Sequence, residues 1–77
     1  MKELIEYIAK SLVERPEEVK VTESESGSRI HIELSVAKDD MGRVIGKGGK
    51  VANSIRTLLK VAAERAGKQV TLDVMEP

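Results

Sequence analysis

Apolar residues recur near the start of the chain at the spacing of a helix: Leu4, Ile5, Ile8, Leu12 and Val13 fall on one face, with Lys and Glu between them. The pattern predicts an amphipathic helix from Lys2 to about Glu14, stopped near Pro16 because the residue before a proline is pushed out of the helical region. The period then changes to two. Ile30, Ile32, Leu34 and Val36 alternate with Arg29, His31, Glu33 and Ser35, so residues 29–37 read as a strand with one buried face. A shorter strand is expected at "VKV", residues 19–21, with a turn in "ESGS" around Gly27. A short helix through Ile45 follows, capped by Asp39 or Asp40, whose carboxylate accepts from the unsatisfied N–H groups of a first turn. After a glycine loop at 46–49, Val51, Ala52, Ile55, Leu58, Leu59, Ala62, Ala63 and Ala66 form a helical stripe from Lys50 to Ala66. Gly67 is placed to end that helix, and Val70, Leu72 and Val74 in "QVTLDVM" predict a closing strand.

The expected class is α+β: three strands, each apolar on one face, covered by three amphipathic helices. A chain of 77 residues supports one domain, residues 1–77, with a small core. That core must be aliphatic, because Tyr7 is the sole aromatic residue. The absence of cysteine excludes disulfides, thiolate metal sites and a cysteine nucleophile, and suits a reducing cytoplasm. Acids interrupt the apolar residues of the N-terminal stretch, unlike a signal peptide, and no apolar run reaches the roughly 18 residues of a membrane span. No membrane partner is expected.

Formal net charge is zero, yet the charges are segregated. Residues 1–37 carry five basic and eight acidic side chains, a net of −3; residues 38–65 carry seven basic and three acidic, a net of +4. The positive half surrounds "GRVIGKGGK", residues 42–50. Three phosphate-binding patterns bear on this stretch. A P-loop fails, because only three residues separate Gly42 from Gly46 and Lys47 is followed by glycine instead of a hydroxyl residue. A dinucleotide fingerprint starting at Gly46 fails at its third glycine, which is Val51, and lacks the preceding strand. I-G-x-x-G at residues 45–49, between two helices, fits. Its glycines let the backbone approach a phosphodiester closely, Lys47 and Lys50 add charge, and the positive end of the following helix points to the same place.

"DDMGRVIGKGGKVANSIRTLLKVAA", in this order of elements, resembles the KH domain of small single-domain bacterial RNA-binding proteins. The resemblance implies a type II, two-layer fold (α-β-β-α-α-β). Its mixed three-stranded sheet has a hairpin across residues 19–37 and the last strand parallel to residues 29–37. It also implies a clamp for about four nucleotides of single-stranded RNA. Carried onto this chain, Gly46, Lys47, Gly48 and Gly49 form the backbone clamp. Lys50, Arg43 and Arg56 supply charge, Val44, Ile45 and Val51 an apolar wall for the bases, and residues near Ile32 and Leu34 its floor. One departure is Gly48, which stands where such loops often carry a functional side chain.

Simpler readings compete at several positions. Arg56, Lys60 and Arg65 lie off the apolar stripe, as a solvated face would, with Arg56 the member nearest the loop. His31 is expected on the exposed sheet face, without partners for catalysis or metal binding. The Ala-rich "LLKVAAERA" packs in the core or serves as a dimer contact. The expected function is that of a non-enzymatic cytoplasmic RNA-binding protein, a post-transcriptional regulator or RNA chaperone. No catalytic residue, metal or cofactor is expected, and base preference is weak because aromatic stacking platforms are missing. The alternative is a KH-type interaction module that forms a homodimer or pairs with a second KH-containing RNA-binding protein, RNA contact being secondary.

Overall fold

The structure is a computed structural model and describes residues 1–75. Its elements are α1 (Lys2–Leu12), β1 (Lys20–Ser26), β2 (Arg29–Ser35), α2 (Met41–Ile45), α3 (Lys50–Arg65) and β3 (Gln69–Met75), with short 3-10 turns at Pro16–Glu18, Lys38–Asp40 and Lys47–Gly49. The strands lie in the order β1-β2-β3, β1 antiparallel and β3 parallel to β2. This is the mixed sheet the resemblance implies. All three helices pack on one side of it, giving the expected two-layer α+β fold.

The core forms where the two hydrophobic periods meet. Ile30, Ile32 and Leu34 of β2 and Leu72 of β3 face Ile5 and Ala9 of α1, Val44 of α2, and Ile55, Leu59 and Ala63 of α3, all buried. Every large member is aliphatic, as the composition requires. Tyr7, the one aromatic residue, is 73% exposed. The polar residues of β3 keep the opposite sheet face in contact with water, and His31 there is partly exposed.

Two boundaries and one buried position differ from the sequence expectation. α1 stops at Leu12, because Val13 is already extended (φ −96°, ψ 158°), and Pro16 opens a separate turn. β1 is seven residues long and continues through "TESES", leaving only Gly27 and Ser28 as the turn. Only Val21 of this strand is buried, so backbone pairing to β2 holds a stretch with no apolar alternation. Leu58, placed in the stripe of α3, is 54% exposed. The end of α3 agrees with expectation: N–H of Gly67 donates to Glu64 O (3.0 Å) and N–H of Lys68 to Ala63 O (2.8 Å), the paired bonds of a Schellman cap.

The expected capping role of Asp39 or Asp40 is not what the structure contains. No side chain caps α2. Asp40 is 2% exposed, and its carboxylate accepts from the backbone N–H groups of Glu14 and Arg15, both at 3.1 Å. It therefore ties the segment leaving α1 to the start of α2. Three partners take up this carboxylate in place of a helix start: the two N–H groups of the extended segment after α1 and the guanidinium of Arg43, whose Nε lies 3.2 Å away.

Candidate nucleic-acid interface

α2 ends in the glycine loop by necessity of backbone geometry. Gly46 has φ 75° and ψ 168°, a region open essentially to glycine alone. Space adds a second constraint, since a methyl group at Gly46 would lie 2.5 Å from Cγ2 of Val51 and 2.9 Å from its backbone nitrogen. Val51, in the first turn of α3, thus packs directly against the backbone of Gly46. Gly48 (φ 65°) and Gly49 (φ 77°) complete the reversal, and N–H of Gly49 donates to Gly46 O at 3.1 Å.

The result is an exposed tip, Lys47 and Gly48, set against the N-terminus of α3. No side chain caps that helix: the N–H of Lys50 donates to Lys47 O within the loop, and no side chain occupies the rest of the first turn. The remaining first-turn N–H groups and the helix dipole favour an anion, and Lys47 and Lys50 are both exposed beside them. Around Gly48 nothing lies within 4 Å of where a side chain would start. A phosphate has an open approach on that side.

The other expected residues divide into two groups. Ile45 and Val51 are partly exposed next to the loop, where an apolar wall requires them. Val44 is completely buried in the core and offers no surface to a base. Ile32 and Leu34 are likewise at 0% exposure and cannot form a floor, because β2 is the central strand and the helices cover its apolar face. The exposed apolar surface lies on β3, the edge strand, where Val70 and Val74 are partly exposed and α2 and α3 pack alongside.

Arg43 and Arg56 are both engaged within the protein. Arg43 pairs with Glu14 and Asp40, which directs its guanidinium toward the α1 exit. Arg56 donates from Nε (3.4 Å) and Nη2 (3.3 Å) to the backbone carbonyl of Leu72 and from Nη1 to Asn53 Oδ1 (3.2 Å). Its charge is carried to β3, the strand that has no neighbour on its outer side. The edge position follows from the sheet arrangement that the resemblance implies, with the last strand outside the hairpin. The alternation of Val70, Leu72 and Val74 identified the strand but not its exposed apolar border.

On the open sheet face, His31 Nδ1 is 2.7 Å from Thr71 Oγ1, and Nε2 is 3.4 Å from Asp73 and 3.8 Å from Glu33. These are cross-strand neighbours in register, since His31 pairs with Thr71 and Glu33 with Asp73. Among the described residues, no group of three or more His, Asp or Glu side chains is arranged to hold a metal ion, and no helix is long and apolar enough to cross a membrane.

A family model described as "KhpA/KhpB, KH domain" matches residues 2–74. The RNA-binding protein KhpA of Halalkalibacterium halodurans is 46% identical over 76 residues, covering 99% of this chain and 100% of that one. The RNA-binding protein KhpA of Clostridium perfringens is 49% identical over 75 residues, covering 97% and 100%. Among solved structures, the crystal structure of Era in complex with MgGDPNP and nucleotides 1506–1542 of 16S ribosomal RNA aligns with a TM-score of 0.59 at 23% identity, over 97% of this chain and 29% of that one. At that identity the likeness concerns the fold.

Proposed function

The chain belongs to the KhpA/KhpB KH domain family, and from that premise we propose that it binds single-stranded RNA through the backbone of residues 46–49. Residues 1–77 act as one KH domain. The observation that carries the reading is the loop itself: two helices brought together at Gly46, an exposed Lys47–Gly48 tip, and an uncapped helix start behind it. RNA binding also appears in the names of relatives that align end to end with this chain. Phosphates sit on the N–H groups of the loop tip, Lys47 and Gly48, and on the side chains of Lys47 and Lys50. Ile45 and Val51 contact the bases, and Arg56 supports the β3 side of the groove. Arg43, committed to Glu14 and Asp40, holds α2 in place and has no part in the grip. The protein acts in the cytoplasm as a post-transcriptional regulator or RNA chaperone, without an enzymatic step.

The test is to titrate single-stranded RNA with the wild type and with a Lys47→Asp, Gly48→Asp double variant at several salt concentrations. Both residues are exposed, and aspartate is among the side chains that tolerate the left-handed conformation of Gly48. The wild type is expected to bind with a falling log affinity against log salt, and the folded variant to lose binding. Undiminished binding by the variant overturns the assignment.

A second reading has its own observation. Leu58 (54% exposed) and Val61 (48% exposed) lie one turn apart on the outer flank of α3, away from Arg56. That flank suits association with a second copy or with another KH protein, and it leaves the loop free. The two readings are compatible.

A further inference from the structure

The junction between α3 and β3 stays open beyond Arg56. One depression is lined by Arg56, Leu59, Val70, Thr71 and Leu72. A second lies further along α3, bordered by Lys60, Ala63, Glu64, Lys68 and Gln69, and it shares Val70 and Thr71 with the first. The two are therefore one trough along the outer edge of β3. α3 starts at the loop and β3 returns toward it, so the trough leads away from the clamp. Lys60 stands about 15 Å along the helix from Lys50 at 1.5 Å per residue.

Charge identifies the occupant. Arg56 and Lys60 are one turn apart on the flank that faces β3, and among the described residues neither has an acidic partner. Further on the sign changes: Lys68 is paired with Glu25, and Glu64 adds an exposed carboxylate. The edge of β3 also presents backbone groups that no strand pairs, and these can meet the polar edges of bases. We infer that RNA held by the loop continues along this trough, with a phosphate on Lys60, and that Glu64 marks the end of the track. The inference rests on the loop reading above and extends it by a subsite outside the clamp.

Oligouridylates from about four nucleotides, the length of a KH clamp, to about ten would be titrated against the wild type, Lys60→Gln and Glu64→Gln. Both side chains are exposed, so the fold is retained. Lys60→Gln is expected to leave the shortest RNA unchanged and to weaken the longer ones several-fold. On those it makes the slope of log affinity against log salt shallower by about 0.7, the value for one phosphate contact on a single strand. Glu64→Gln is expected to act with the opposite sign on the same lengths. Equal effects of Lys60→Gln on every length, or no effect on any, overturn the track. The Lys47→Asp, Gly48→Asp variant separates the two readings: if it binds all lengths normally, the loop assignment falls. If it binds none while Lys60→Gln and Glu64→Gln change nothing, the track alone falls. Loss of self-association in Lys60→Gln with unchanged RNA affinity gives the trough to a protein partner and also overturns the proposal.

Discussion

Four glycines in "GRVIGKGG" look alike in the sequence and differ completely in place. Gly42 lies in α2 with ordinary helical torsion and open space around it, whereas Gly46 combines a positive φ with a neighbour 2.5 Å from any added methyl. Gly42→Ala is expected to raise stability by about 0.5–1 kcal/mol, because alanine loses less backbone entropy in a helix. Gly46→Ala is expected to lower it by about 2–4 kcal/mol through backbone strain and overpacking against Val51. Thermal or denaturant unfolding of the two variants checks both signs; equal effects would mean that the α2–α3 contact is looser than described. Gly48 has the torsion constraint but not the crowding, which is why it can accept a charged test residue. The motif and its spacing were legible in the sequence. The contact of Gly46 with Val51 was not, since it depends on how closely two helices cross.

At the scale of elements, Asp40 shows where local reasoning gives out. Its neighbours in sequence recommend a helix cap, while its actual partners, the N–H groups of Glu14 and Arg15, lie 26 and 25 positions earlier. Nothing in the local pattern announces a contact of that range. Asp40→Ala strips acceptors from two backbone donors and a partner from Arg43, so a loss of about 2 kcal/mol is expected, measured by denaturant unfolding. Asp40→Asn keeps one acceptor oxygen and is expected to lose less. A neutral Asp40→Ala would show that the clip between α1 and α2 is not needed. The same limit explains β2 and β3. Alternation found both strands, but only the pairing order makes β2 central, burying Ile32 and Leu34, and turns β3 into the edge that borders the groove. β1 was found only in part because a strand that buries Val21 alone leaves almost no hydrophobic signal.

For the whole molecule, the segregated charge and the single-sided sheet lead to a division of surfaces. The loop and the β3 edge gather cations, the outer flank of α3 shows Leu58 and Val61, and the open sheet face carries His31, Glu33 and Asp73. Class and element order followed from periodicity and glycine spacing. Which surface faces which partner needed three-dimensional placement. Leu58→Asp is expected to shift any dimer toward monomer in sedimentation at high concentration without changing RNA affinity, because Leu58 lies on the flank away from Arg56. A wild type that is strictly monomeric would remove the association surface from the account. The central claim, that RNA phosphates are held by the loop backbone, is tested most directly by following backbone amide resonances while single-stranded RNA is added. The account predicts the largest changes at Lys47, Gly48, Gly49 and Lys50; changes confined to the open sheet face around His31 and Thr71, with the loop amides unmoved, would contradict it.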